Sequence, residues 1–549
     1  MYKKPQKETD LVDEILRDFD RLKGDRENFE SHWLEIAERV IPSHRTQFQS
    51  LGSQKTKGEK RTEFIFDSTA SIALGRFAAI LDSLLTPRNQ TWHRLLASDP
   101  YLNKDRQVRL WFEEVNRILF KNRYAPDANF ASQNQQNYKS LGAFGTGCLF
   151  IDKLQNRKEK GLRYKNIHLA EVFFSENHQG IIDTAYRYFE LTCRQARQKW
   201  GDDKLPKSII DCENQEQNFW FIHCVKPRTD YDPGRFDYKG MEYGSYYVCQ
   251  SERCLVDEGG YTTFPYASSR YEQSPGEVYG RSPAMEVLPA IKTLNEQKKT
   301  MLKQGHRIVD PVLLVHDDGV LDSVSLKPGA INYGGVTADG RPLVHPLPVG
   351  RVDVGIDMMQ AEQALINDAF LITLFQIMVE NPQTMTATEV LERSKEKGIL
   401  LAPTIGRQHS EYLGPMIDRE LDILAQEGLI PPMPGLLKEA KGDYRIEYDS
   451  PLSRAQRAEE AAGLARTLET VLNVVNITQN AEPLDHFDWD NIVPDVADIQ
   501  AVPMRWMKDM RVIQQIRQAR AQQQQMMQMS QMAPGAAAMI KSVGAVQGK

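Results

Sequence analysis

A segment rich in strand and turn signals lies between two helix-forming segments, and this order restricts the fold more than any other feature of the chain. Helices are predicted at about 283–307 and 353–379, and the intervening segment at about 308–350 is rich in Val, Leu and Gly. A continuous helix of about 26 residues at 354–379 spans roughly 40 Å at 1.5 Å per residue. Two long helices joined by a small β unit predict an antiparallel stalk with a β tip.

The residues that follow the second helix indicate a mechanical rather than a catalytic part. A short polar loop at 380–384 carries no catalytic pattern. Thr386 and Glu389 have capping-box spacing, which predicts the start of another long helix. Glu389 and Arg393, four residues apart, are spaced to pair on the surface of that helix.

Helical and strand periodicities occur in blocks along the rest of the chain. Helices come first, strand-like runs follow from about 142 to 265, and helices return after the stalk. Asp67 or Ser68 is the expected N-cap of the third helix. This order predicts a mainly helical α+β protein. The predicted helices are 8–23, 29–40, 66–85, 105–122, 455–476 and 503–530, and the predicted strands are 148–151, 167–174, 185–191, 219–225 and 246–249.

Composition limits the class of protein. A chain of 549 residues is too long for a single core, and its net charge of −6 argues against general nucleic-acid binding. The charge is uneven, however, since residues 451–500 sum to −6 and residues 501–549 to +6. Six cysteines without a secretory signal do not form a disulfide framework and fit a reducing cytoplasm. The longest apolar run, about eleven residues, is shorter than the roughly 20 that span a bilayer, so we expect no membrane contact.

No motif supports an enzyme or a cofactor. Residues 141–147 (LGAFGTG) precede a strand instead of opening a helix, unlike a dinucleotide-binding loop. Cys249 and Cys254 are spaced too loosely for a zinc finger, and buried cysteines are the simpler interpretation. Residues 485–490 (DHFDWD) lack the Gly and closing Glu of a calcium loop, so an acidic turn before a helix is expected. The sequence therefore predicts no catalytic residues, metal or cofactor.

Five basic residues on the first stalk helix allow two interpretations. They form either an ordinary solvated helix face or a wall that touches DNA phosphates without reading bases. Both interpretations remain open from the sequence. The five residues are Lys292, Lys298, Lys299, Lys303 and Arg307.

Short motifs in a fixed order across about 65–505 resemble the portal (head-to-tail connector) proteins of short-tailed, podovirus-type bacteriophages. Each motif alone is weak, but their order is specific. One departure is Ser282, where that family commonly has Gly. The motifs are 67–69 (DST), 84–88 (LLTPR) with Trp92, 141–147, Arg187 with Phe189, Arg194 with Gln195, 279–283 (YGRSP), Leu294 with Asn295, Asn381 with Pro382, 385–390 (MTATEV), 413–415 (LGP), Arg419 with Glu420, 428–431 (GLIP), and Asp488 with Asp490 and Pro503.

The resemblance implies a non-enzymatic ring, usually of twelve copies, at one capsid vertex of the virion. Double-stranded DNA passes without sequence preference through its axial channel. Implied partners are the terminase large subunit, the major capsid and scaffolding proteins and the tail adaptor proteins, and the chain is made in the host bacterial cytoplasm. Implied roles are capsid nucleation, genome packaging, DNA retention and ejection, and tail attachment. The channel loop implied by the resemblance consists of Asn381, Pro382, Gln383 and Thr384.

The resemblance also divides the chain into named parts of a portal fold. Two alternatives compete with it: a smaller head-completion or tail adaptor ring, which lacks the stalk order, and a DNA-processing enzyme, which needs clustered carboxylates or a phosphate loop. The implied parts are the wing at 1–282 (helical, then β-rich from about 142), the first stem helix at 283–308, the clip at 309–350, the second stem helix at 351–379, the channel loop and long wing helix at 380–450, the crown and C-terminal helices at 451–532, and a mobile tail at 533–549.

Overall fold

The computed structural model divides into two compact units. The first comprises Met1–Gln90 and Leu119–Leu429, and the second comprises Thr91–Ile118 and Ile430–Lys549. The structure describes residues 6–48, 62–154, 160–315, 324–348, 353–379, 401–440, 442–448, 451–479, 482–500, 502 and 504–526.

The first unit begins with amphipathic helices, as predicted. Helix α3 begins after Ser68, and the Asp67 carboxylate accepts from the Thr69 amide at 2.9 Å. Asp67 therefore caps this helix, and Ser68 makes no side-chain cap bond. The helices that precede the β region are α1 (Gln6–Asp25), α2 (Glu27–Arg39), α3 (Thr69–Leu85), α4 (Arg106–Arg123) and α5 (Phe130–Phe144).

The β region contains an antiparallel five-stranded sheet and a smaller three-stranded sheet. The larger sheet runs in chain order from β4 (Val172–Glu176) to β8 (Cys254–Tyr261), a simple meander. In the smaller sheet β2 (Thr146–Lys153) lies between β3 (Leu162–Asn166) and β9 (Tyr266–Arg270). The strands and intervening helices are β2 (Thr146–Lys153), β3 (Leu162–Asn166), β4 (Val172–Glu176), β5 (Ile182–Thr192), α6 (Cys193–Trp200), α7 (Lys207–Ile210), β6 (Asn218–Pro227), β7 (Tyr243–Cys249), β8 (Cys254–Tyr261) and β9 (Tyr266–Arg270).

Two apolar clusters cover the two faces of the five-stranded sheet. Successive side chains of a strand point to opposite faces, so Ile222 packs against the apolar stripe of α1 while neighbouring Phe221 packs against α6 and α7. Phe19 of α1 and Trp200 of α6 are the largest helical contributions to these clusters. The sheet is therefore held between helices that precede and interrupt it in sequence.

The predicted strand at 167–174 is correct only for its last three residues, 172–174. Residues Leu169–Glu171 form a 3-10 turn, and β4 begins at Val172. The buried Arg26 guanidinium donates to the carbonyl oxygens of Leu169 at 2.8 Å and Val172 at 2.6 Å. Because a side chain from α2's N-terminus binds these carbonyls, the backbone satisfies its polar groups without pairing to a strand.

The second predicted stalk helix is interrupted, which corrects the expectation of one helix over 354–379. Helix α10 ends at Ala369, Leu371 adopts a left-handed backbone with φ of 62°, and α11 begins at Ile372. The Leu371 amide donates to the Asp368 carbonyl at 2.9 Å, a tight helix ending. The elements here are α8 (Pro283–Glu286), α9 (Leu288–Val309), β10 (Leu313–Val315), β11 (Val344–Pro346), α10 (Asp353–Ala369) and α11 (Ile372–Val379).

A long helix closes the first unit and contains one widened turn. Residues 401–407 (α12) lead into a π-helical turn at Gln408–Leu413, and α13 (Gly414–Gln426) follows. Pro415 has no amide hydrogen for a bond to the preceding turn, which accounts for the irregularity at this point. Within this turn, the Gln408 side chain donates to the Arg270 carbonyl at 2.7 Å and so connects the turn to β9.

The second unit combines a two-stranded sheet with C-terminal helices. Strands β1 and β12 pair antiparallel from His93 with Tyr448 to Ala97 with Tyr444, and neither strand was predicted. The helix predicted at 455–476 is confirmed, and that predicted at 503–530 is described as a helix at 510–526. The elements are β1 (His93–Ala97), α14 (Gly435–Glu439), β12 (Tyr444–Tyr448), α15 (Pro451–Thr478), α16 (Trp489–Ile499) and α17 (510–526).

Candidate functional site

Helices α9 and α10 run antiparallel and are joined through β10 and β11, and we call the described residues within 288–369 the helix hairpin. Gly355 lies against Met301, and a Cβ at Gly355 would overlap that side chain. Further along, Gln363 donates to the Asp67 carboxylate at 3.2 Å, and Asn295 accepts from the Asp67 amide at 3.3 Å. Residue 355 of α10 lies beside residue 301 of α9, and residue 363 lies near residue 295. The two helices therefore run in opposite directions, as predicted.

A short antiparallel β ladder lies at the far end of the two helices. Leu314 pairs with His345, and the Leu347 amide donates to the Val312 carbonyl at 2.8 Å. In the segment between β10 and β11, Val336 and Pro342 form an isolated antiparallel β-bridge. The prediction of short strands and turns at 311–350 is therefore confirmed for its described residues.

The five basic residues of α9 do not share one face. Positions 292, 299, 303 and 307 are separated by seven, four and four residues, which places them along one side of the helix. Lys298 precedes Lys299 by one residue and is therefore rotated from it by about 100°. The structure thus groups four of the five predicted residues and separates Lys298 from them.

Two of the four grouped cations are held by carboxylates. Lys292 forms an ion pair with Glu35 of α2, and its hydrogen bond lowers the pKa of Glu35. Lys299 pairs with Glu296 at 3.2 Å on its own helix. Lys303 and Arg307, nearer the β ladder, are exposed. These last two are the better candidates for contact with a polyanion.

The helix hairpin exposes many large apolar side chains. Val309 is 86% exposed, Tyr333 85% and Ile331 76%. Large apolar side chains that are exposed together on one part of a chain are typical of protein interfaces. Further exposed members are Leu302, Val312, Leu326, Val336, Val354 and Leu365.

Motif residues that are far apart in the sequence meet in the first unit. Asn295 accepts from the Phe66 amide at 2.7 Å and donates to the Phe64 carbonyl at 2.8 Å, which joins α9 to the segment before α3. The Gly280 amide donates to the Thr146 hydroxyl at 2.8 Å. These motif residues therefore serve to hold elements together.

Ser282, the departure from the family pattern, has a clear structural role. Its hydroxyl accepts from the Met285 amide at 3.0 Å and so caps α8. The same hydroxyl donates to the Ala143 carbonyl at 2.8 Å. Serine is therefore accommodated here because both of its hydrogen bonds are made.

The predicted channel loop, Asn381, Pro382, Gln383 and Thr384, lies outside the described residues. The capping box of Thr386 with Glu389 and the predicted tail at 533–549 also lie outside them. The acidic turn at 485–490 is described: Asp488 accepts from the Asp490 amide at 3.1 Å at the start of α16, and Asp490 pairs with Arg517. It is a helix N-terminal turn, as predicted.

The described part of the chain offers neither a metal-binding cluster nor a membrane-spanning helix. No described group of three or more His, Cys, Asp or Glu residues is arranged to hold a metal ion. None of the described helices combines the length and apolarity needed to cross a membrane.

Comparison with known proteins gives a consistent result. The family described as "Bacteriophage head to tail connecting protein" matches residues 12–508. The portal protein of Salmonella phage epsilon15 is 28% identical over 454 residues, covering 81% of this chain and 80% of that protein. The probable portal protein of Bordetella phage BPP-1 is 29% identical over 455 residues, with the same coverage.

Among solved structures, a chain of the virion of a native gene transfer agent particle is similar with a TM-score of 0.33 and 11% identity, covering 79% of this chain and 94% of that chain. The family match, by contrast, extends over nearly the whole sequence, through both compact units. The chain therefore belongs to the family of bacteriophage head to tail connecting proteins.

Proposed function

We propose that this chain is the subunit of a portal ring, usually of twelve copies, that forms the DNA channel at one capsid vertex. The observation that carries the ring is the exposed apolar surface of the helix hairpin, because neighbouring subunits would bury residues such as Val309 of α9 and Leu365 of α10, which lie outside the β ladder. The two portal relatives support the same function. The ring is then a virion component without catalytic activity.

The proposed channel contacts DNA through few and weak charges. Lys303 and Arg307 are exposed on one side of α9, whereas Lys292 and Lys299 are held by carboxylates. A channel must let the duplex slide, which favours sparse phosphate contacts over base readout. We assign the narrowest point to the loop at 381–384, on the family resemblance alone.

The remaining proposed roles concern partners. In this proposal the β ladder end of the hairpin, within 309–350, docks the terminase large subunit during packaging and tail adaptor proteins afterwards. Capsid and scaffolding proteins contact the ring during assembly. The force for DNA translocation comes from the terminase motor.

Particle mass and shape test the ring directly. Twelve chains of 62.7 kDa give a particle of about 752 kDa, which mass photometry resolves, and negative-stain electron microscopy should show a central hole. Val309→Asp should prevent ring formation by placing a charge in the interface, while the isosteric Val309→Thr should still assemble. A chain that stays monomeric when concentrated or mixed with scaffold contradicts the proposal.

Deletion of 311–345 tests the docking role. Rings should still form, whereas packaging in a reconstituted system with the terminase should be lost. Packaging by the deletion variant would show that the motor docks elsewhere, without affecting the ring proposal.

A further inference from the structure

Four of the six cysteines gather in one apolar cluster on the α6 side of the five-stranded sheet. Cys193, Cys249 and Cys254 are buried there, and Cys212 is half-buried at its edge. They lie as two neighbouring pairs, Cys193 with Cys212 and Cys249 with Cys254, and in each pair one thiol is close enough to shift the pKa of the other. Only the second pair lies across adjacent strands.

Cys249 and Cys254 face each other at the end of the β7–β8 hairpin. Cys249 is the last residue of β7, Cys254 is the first of β8, and the strand register pairs them directly. Directly opposed residues in antiparallel strands have Cα atoms about 4.5–5.5 Å apart, within the roughly 4.4–6.8 Å of disulfides. The backbone is thus already in a disulfide-compatible arrangement.

The turn between the two cysteines stabilises a thiolate at Cys249. The Ser251 hydroxyl lies 3.4 Å from the Cys249 sulfur, and the Cys254 thiol and the amides of Glu252 and Ser251 interact with the same sulfur. These groups, led by Cys254, lower the pKa of Cys249 to about 6 despite burial. Burial instead raises the pKa of Cys193. Residues 251–253 are exposed, so the pair lies directly beneath the surface.

We propose that Cys249 and Cys254 are a redox pair that closes to a reversible intrachain disulfide on reaction with a low-molecular-weight disulfide. One thiolate attacks a sulfur of the reagent, which breaks the reagent's S–S bond and releases one thiolate. The second protein thiol loses its proton and attacks the mixed disulfide, forming the Cys249–Cys254 bond and releasing the other thiolate. Two protein thiols are oxidised, one disulfide is reduced to two thiols, and the two protons lost by the protein thiols are taken up by the two released thiolates.

The Cys249–Cys254 disulfide would be absent during assembly in a reducing cytoplasm and would form after release from the cell. This timing rests on the proposed function, whereas the exchange chemistry does not. A failure of ring formation therefore leaves the chemistry testable, and a failure of the chemistry leaves the ring proposal intact.

The full-length chain is incubated under native conditions with oxidised glutathione, then alkylated in denaturant and digested with trypsin. Cleavage after Arg253 places Cys249 in the peptide 240–253 and Cys254 in the peptide 254–270, so the disulfide appears as a cross-linked pair in mass spectrometry. We expect this cross-link, four alkylated thiols in place of six, and full recovery of six after dithiothreitol. Circular dichroism before alkylation checks that the chain remains folded.

Two variants and one internal control sharpen the test. Cys254→Ser should retain glutathione at Cys249 because no second thiol resolves the adduct, and Cys249→Ser should give no cross-link. The pair of Cys193 and Cys212 in the same cluster should stay reduced. Six free thiols after oxidation, a cross-link at Cys193–Cys212 alone, or glutathione that persists on the wild-type Cys249 would each overturn the proposal.

Discussion

Gly145 and Gly280 lie face to face, each against the backbone of the other. A Cβ on Gly145 would overlap the Gly280 carbonyl and lie 2.6 Å from the Arg281 carbonyl carbon, and a Cβ on Gly280 would overlap the Gly145 carbonyl oxygen. Gly145 also has a φ of 75°, in the left-handed region. The two motif segments 141–147 and 279–283 therefore meet at a point where only glycine fits.

We expect Gly145→Ala to destabilise the protein by about 3–5 kcal/mol, because left-handed backbone strain adds to a backbone clash. A fall in the midpoint of thermal unfolding checks this expectation. Gly75→Ala is the matched control: Gly75 lies inside α3 with open space around its Cα, so alanine should stabilise slightly, by about 0.5–1 kcal/mol. Equal effects of the two substitutions would contradict the close approach.

Arg123 and Glu420 form a buried ion pair between α4 and α13, and both side chains are fully inaccessible. Tyr164 donates to the same carboxylate at 2.7 Å. We expect Arg123→Met to cost about 3–5 kcal/mol because it leaves a buried carboxylate without its cation. Chemical denaturation followed by tryptophan fluorescence measures the loss.

The control for this pair is Arg117→Met, which removes an exposed ion pair with Glu114 on the same helix and should leave stability unchanged. The double variant Arg123→Met with Glu420→Leu should recover much of the loss, since neither charge of this ion pair then remains buried. If the double variant is no more stable than Arg123→Met, the loss has another origin.

Substitutions at Leu371, whose backbone is left-handed, distinguish an interrupted helix from a continuous one. At its φ of 62°, Leu371→Gly should be more stable than Leu371→Ala by about 1–2 kcal/mol. Both variants lose the leucine side chain, so their difference reports the backbone. In a continuous helix the order reverses, with alanine favoured by about 1 kcal/mol. Hydrogen exchange of the amides in 353–379 measures the local difference.

The exposed cations of α9 should contribute to DNA contact in assembled rings. We expect Lys303→Gln with Arg307→Gln to weaken binding of short duplex DNA and to reduce the slope of log affinity against log salt by at least about 1. Lys298→Gln, on another side of the same helix, is the control and should change neither quantity. Equal effects of both substitutions would indicate a general charge effect instead of a defined channel face.

The sequence predicted elements whose signals are local. Helical spacing identified α1, α4 and α15, and turn and strand signals identified the β unit between two helices. It did not predict the pairing of β1 with β12, because their contact joins residues about 350 positions apart and leaves no periodic trace. Likewise, no local pattern showed that Leu371 interrupts the helix over 354–379.

The amino-acid sequence alone is enough to identify the class of the protein, because the order of its motifs and of its helix–β–helix segments can be recognised without knowledge of contacts. Which residues share a surface became clear only from the fold. It separated Lys298 from the other cations of α9, joined Lys292 to Glu35 and brought Gly145 against Gly280. The physical reason is that partners are chosen by packing and by the need to pair buried charges and polar groups, and these conditions depend on distance in space rather than along the chain.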